Sequence, residues 1–136
     1  MSLNILVAED SVAYAILYQQ IFESRGHSVK LTFDGQECID TYMLSKNKEQ
    51  KPYDVVILDY SMPKKNGFEV ARKIMATNPN QKIMIITSFD DAISAKLKQD
   101  GMIKNITVIE KPFNSSVLIK KIEQTETAKA THVIIN

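Results

Sequence analysis

The 136-residue chain is long enough for one domain that buries roughly two-thirds of the surface its unfolded form exposes, with no need of disulfide or metal. Its 44% hydrophobic and 24% charged content argues against disorder, and a net charge of +1 supplies no general field for nucleic acid or anionic lipid. A single cysteine, Cys38, cannot pair within the chain, and the absence of a signal-like or membrane-spanning run points to a reducing, cytoplasmic setting.

Leu3 to Ala8 is a short aliphatic run that ends on Glu9 and Asp10, which predicts a first strand with charge at its C-terminal end. From Ser11 onward Val12, Ala13, Ile16, Leu17 and Ile21 recur at spacings of three and four before Gly26. They predict a helix whose apolar face they form and whose start Asp10 helps to cap. Val29, Leu31 and Phe33 alternate with polar neighbours, as in a strand near a sheet edge. Asp34-Gly35 then turns into a helix carrying Cys38, Ile39, Tyr42 and Met43, followed by a loop from Lys46 to Pro52.

Val55 to Leu58 are four consecutive aliphatic residues that stop on Asp59, and Ile83 to Ile86 repeat the pattern and stop on Thr87-Ser88. Runs without polar alternation predict strands buried on both faces. Between them a helix from about Phe68 to Thr77 sets Phe68, Ala71, Ile74 and Met75 on one face and ends near Asn78-Pro79. A shorter helix from Asp90 to about Gln99, a fifth strand near Ile106 to Ile109 and a last helix from about Asn114 to Glu123 complete the series. The last helix packs through Val117, Leu118 and Ile122. Residues 1–124 thus form one domain, with 125–136 as a tail. His27 and His132 read as surface residues, and Lys64, Lys65, Lys120 and Lys121 as solvated.

Five strands alternating with five helices predict an α/β doubly wound parallel sheet covered on both faces. Such sheets place their sites beyond the C-terminal ends of the strands. That rim here receives Glu9, Asp10, Asp59, Thr87 and, just past the fifth strand, Lys111. Three neighbouring carboxylates repel by about 3 kcal/mol per pair at an effective dielectric constant near 20, so a cation must offset them. Oxygen-only ligands suit a hard ion, and room for water and a phosphoryl oxygen suits Mg2+. With the lysine and hydroxyl, the set is able to stabilise a transferring phosphoryl group, and the central Asp59 is the candidate nucleophile.

In this order, Glu9-Asp10, the Asp59 to Gly67 segment DYSMPKKNG, Thr87-Ser88 and Lys111-Pro112-Phe113 resemble the receiver domain of two-component response regulators, from about Asn4 to Glu123. The resemblance implies a flavodoxin-like (βα)5 fold with strand order 2-1-3-4-5. It implies that Asp59 accepts a phosphoryl group from a sensor histidine kinase, a histidine phosphotransfer protein or a small phosphodonor. Glu9, Asp10, Asp59 and the Ser61 carbonyl would hold Mg2+, while Thr87 and Lys111 would bind phosphoryl oxygens. Phosphorylation would then be reported to an effector by a monomer or a phosphorylation-dependent dimer, without direct nucleic-acid or membrane contact. The Lys111-Pro112 bond resembles one that is cis in the family. Val108 departs from the pattern, standing where receivers carry Tyr or Phe, which keeps a non-phosphorylated interaction module as the alternative. An aspartate-nucleophile phosphatase fits less well, since Ser61 replaces its second Asp, and a flavin mononucleotide binder is opposed by Glu9-Asp10.

Overall fold

A computed structural model of the chain describes residues 2–46, 52–88 and 106–123. Five parallel strands form one sheet: β1 (Asn4–Ala8), β2 (Ser28–Thr32), β3 (Val55–Asp59), β4 (Lys82–Thr87) and β5 (Ile106–Glu110). Their order is β2-β1-β3-β4-β5, the expected flavodoxin-like doubly wound arrangement. Four helices are described: α1 (Val12–Glu23), α2 (Gly35–Lys46), α3 (Gly67–Thr77) and α4 (115–123), the last being the final helix of the sequence reading. The helix expected over Asp90 to Gln99 and the tail 125–136, with His132, lie outside the described residues.

Successive strand residues point to opposite faces, so the aliphatic runs divide into two cores. Leu6, Ala8, Val56, Leu58, Ile83 and Ile85 join Cys38, Ile39 and Tyr42 of α2 and Phe68, Ala71 and Ile74 of α3. Ile5, Val7, Val55, Ile57, Met84 and Ile86 join Tyr18 and Phe22 of α1 and Leu118 and Ile122 of α4. Every residue of β3 is buried, as a central strand covered on both sides requires. Met43 and Met75 lie at the margin of the first core, partly buried.

Several expectations are overturned. The buried face of α1 is Ala15, Tyr18 and Phe22, whereas Val12, Ile16 and Leu17 are exposed at 61%, 46% and 40%. Burying two aromatic rings removes more apolar area than burying the aliphatic stripe, so the helix turns that way. Its N-cap is Ser11, which accepts from Tyr14 N–H at 3.3 Å, leaving Asp10 exposed. In α4, Leu118 and Ile122 are buried but Val117 is exposed. Phe33 lies one residue past β2 and is likewise exposed.

His27 is buried rather than superficial. Its Nδ1 accepts from Leu3 N–H at 3.0 Å, and its Nε2 lies 3.1 Å from Glu123 Oε2. An imidazole that satisfies a backbone donor at a strand start on one side and meets a carboxylate on the other can be buried with little penalty.

Candidate functional site

β1 carries Glu9 to the rim, and its ladder to β2 continues one step further through Glu9 N–H to Thr32 O at 3.0 Å. The carboxylate then turns back: Oε2 accepts from Ser11 N–H at 3.1 Å at the opening of α1, while Oε1 accepts from Lys111 Nζ at 3.1 Å. β3 delivers Asp59, buried at the end of the most enclosed strand, and its Oδ1 accepts from Lys111 Nζ at 3.3 Å. Asp10 is exposed, yet one carboxylate oxygen each from Glu9, Asp10 and Asp59 all lie within 4.8 Å of one another.

Lys111 is anchored through its main chain, its N–H donating to Thr87 O at 2.7 Å, and its peptide bond to Pro112 is cis as expected. Thr87 is buried, one residue beyond Ile86, the register partner of Asp59. Ser61 follows Asp59 by two residues, and its side chain is exposed. The rim therefore assembles Glu9, Asp10, Asp59 and Lys111 directly, with Thr87 joined to them through the backbone.

The loop after Asp59 is held tightly. Tyr60 N–H donates to Ile86 O at 2.9 Å and Gly67 N–H to Tyr60 O at 2.8 Å. A Cβ on Gly67 would lie 2.8 Å from the Asp59 carbonyl oxygen and 3.0 Å from Tyr60 Cα, so α3 can start this close to β3 only with glycine there. Asn66 and Glu69 form a reciprocal capping box at the same point.

Burial, followed by the charge of Glu9, pushes the Asp59 carboxyl from 3.8 up to about 7 against the opposing pull of Lys111. For Lys111 burial acts to lower the pKa, but the hydrogen bond to Glu9 and the charge of Asp59 outweigh it and the ammonium is favoured. Three carboxylates against one ammonium leave a surplus of negative charge in an all-oxygen cluster that contains no histidine or cysteine. Its donor chemistry fits a hard divalent cation.

Tyr14 was not legible as a site residue. Its ring centroid lies 4.0 Å from Lys111 Nζ and packs against Tyr18 and Phe113 at 6.1 and 6.3 Å. Tyr18 is 1% exposed, its hydroxyl without a hydrogen-bond partner among the described residues, and burial together with the Glu9 and Asp59 charges raises its pKa. The available signal was the spacing of Tyr14, Tyr18 and Phe22, an aromatic stripe masked by the aliphatic one beside it.

Comparison with known proteins bears on this arrangement. The family profile described as "Response regulator receiver domain" matches residues 5–123. The chain is 29% identical over 126 residues to the transcriptional regulatory protein RprY of Bacteroides fragilis, covering 89% of this chain and 48% of that protein. It is 32% identical over 90 residues to the response regulator MprA of Mycobacterium bovis, covering 66% and 36%. The chain thus spans half or less of the length of these curated relatives. Among solved structures, a response regulator receiver domain protein from Clostridium thermocellum aligns with a TM-score of 0.81 at 24% identity, covering 95% of this chain and 98% of that one. A chain of the CheX-CheY-BeF3-Mg2+ complex from Borrelia burgdorferi aligns with a TM-score of 0.77 at 28% identity, covering 90% of this chain and 88% of that one. No described helix is long and apolar enough to cross a membrane.

Proposed function

The chain belongs to the response regulator receiver domain family of two-component systems, and from that premise we propose that it is a phosphoacceptor whose Asp59 takes a phosphoryl group from a phosphohistidine. The observation that carries this reading is the convergence of Glu9, Asp10 and Asp59 within 4.8 Å, with Lys111 bonded to two of them. Receiver domains are signalling domains rather than enzymes with a separate substrate turnover, and the chemistry proposed is performed on the protein itself.

An oxygen of the Asp59 carboxylate forms a bond to phosphorus as the phosphorus–nitrogen bond breaks, and the histidine nitrogen keeps the electron pair and gains a proton. Asp59 reacts as the carboxylate, so its raised pKa makes charge compensation a condition of the reaction. Glu9, Asp10, Asp59 and the Ser61 carbonyl would hold Mg2+, which supplies neutralisation of the charge shared between carboxylate and incoming phosphoryl group. Lys111 reaches the entering phosphoryl oxygens from the Glu9 side, and the Thr87 hydroxyl donates to another. Donor partners are a sensor histidine kinase, a histidine phosphotransfer protein or a small acyl phosphate. The output is an effector, and because the relative RprY is a transcriptional regulatory protein, control of transcription is the output class we favour. A cytoplasmic location follows from such partners.

The test is incubation with acetyl phosphate and Mg2+. The expected product is a mass gain of one phosphoryl group, stable in acid and labile in base, absent in Asp59→Asn and absent when the cation is chelated. Undiminished labelling of Asp59→Asn overturns the assignment. Failure of the wild type to label or to bind Mg2+ favours the non-phosphorylated interaction module that Val108 suggests.

A further inference from the structure

We propose that Tyr14 is a positioning residue for Lys111, its ring holding the ammonium beside the acid cluster once a divalent cation occupies the carboxylates. The inference deepens the phosphoacceptor reading and rests on it. Among the described residues, Lys111 Nζ has three close contacts: Glu9 Oε1 at 3.1 Å, Asp59 Oδ1 at 3.3 Å and the Tyr14 ring centroid at 4.0 Å. The first two are the carboxylates a hard cation requires, and two positive charges competing for them repel each other. When those bonds are lost, a flexible four-carbon side chain gains rotamer freedom by leaving for solvent. The face of an aromatic ring is a partner that the cation does not take, since hard ions prefer oxygen while an ammonium is attracted to the ring quadrupole.

The ring is also fixed where it is needed. Tyr14 stands in the first turn of α1, five residues after Glu9, and packs against Tyr18 and Phe113, and Tyr18 stacks on Phe113 at 5.6 Å with an interplanar angle of 15°. Phe113 follows Lys111 by two residues, so the same aromatic group braces the helix and the lysine's own loop. The lysine side chain is 12% exposed, a setting in which a cation–π contact is less screened than at an open surface. Backbone anchoring to Thr87 restrains the Cα of Lys111, and Tyr14 restrains its far end.

The experiment combines nuclear magnetic resonance with labelling on the full chain. In the wild type the Lys111 ε-methylene protons are expected upfield of those of the other lysines because they lie over the ring. The shift persists when MgCl2 is added, persists in Tyr14→Phe and is lost in Tyr14→Leu. Labelling by acetyl phosphate with Mg2+ slows about tenfold in Tyr14→Leu, and Tyr14→Phe, which restores the ring, recovers the rate. Loss of the wild-type upfield shift on adding MgCl2 overturns the proposal, as does an equal slowing in Tyr14→Phe and Tyr14→Leu. A wild type that keeps the shift with MgCl2 but does not label supports the contact and removes the phosphoacceptor reading. A wild type that labels without the shift does the reverse.

Discussion

At the scale of the residue, Asp59 is costly to the protein that carries it. Its carboxyl is buried beside Glu9, and its pKa rises from 3.8 to about 7. The folded chain therefore binds this proton more tightly than the unfolded chain, so stability falls as pH rises between those values, and the loss is complete above the higher one. Asp59→Asn cannot ionise. Without divalent cations it is expected to match the wild type near pH 4 and to exceed it by about 2 kcal/mol near pH 8, read from urea melts in a chelator. An advantage that stays constant across that range would mean Asp59 is not the group responsible. Mg2+ should narrow the gap at high pH, because the cation binds the folded wild type preferentially.

At the scale of the element, the start of α3 carries two separable functions. Asn66 caps the helix, with its side chain accepting from Glu69 N–H at 2.9 Å and Glu69 returning a bond to Asn66 N–H at 3.0 Å. Asn66→Ala is expected to cost about 1 kcal/mol in chemical denaturation and to leave the labelling rate near that of the wild type. Gly67→Ala differs, because the added carbon meets backbone of Asp59 and Tyr60 rather than a side chain that can swing away. A loss of about 1–3 kcal/mol is expected, together with slower labelling, since relief of the clash must move the strand end that aims Asp59. The motif's glycine was visible from sequence, but its reason, a close approach of helix to strand, needed coordinates.

At the scale of the whole molecule, Glu123 of α4 ties the last described helix to the starts of the first two strands. It accepts from Arg25 at 2.8 and 3.2 Å and meets His27 Nε2 at 3.1 Å, while His27 in turn receives Leu3 N–H. Arg25 is half exposed, so its ion pair contributes little, whereas the His27 ring is enclosed. Glu123→Ala is therefore expected to cost about 1–2 kcal/mol through the buried imidazole left without its carboxylate, and Arg25→Ala clearly less. Equal costs in thermal or urea melts would show that the exposed pair carries the link. This end of the molecule lies opposite the acid rim, and the contacts join the last described helix, α4, to the starts of β1 and β2.

The strands, their parallel pairing and the acids at one rim were readable from sequence because each depends on local pattern, whereas the strand order came from the family resemblance. A four-residue aliphatic run needs burial on both faces, and a carboxylate at its end needs a reason to be there. Ser11 as cap, Tyr18 and Phe22 as the buried face of α1, and His27 in the interior were not readable, because each was decided by what packs against it. Two periodicities compete on α1, and only the sheet beneath selects the aromatic one. Lys111 bonds Glu9 and Asp59 across separations of 102 and 52 residues and rests on Tyr14, contacts that no local spacing encodes. Sequence alone determined which chemical groups reach the rim, through strand periodicity. Tertiary structure decided how they are paired and what holds the lysine, because those depend on distances between segments far apart in the chain.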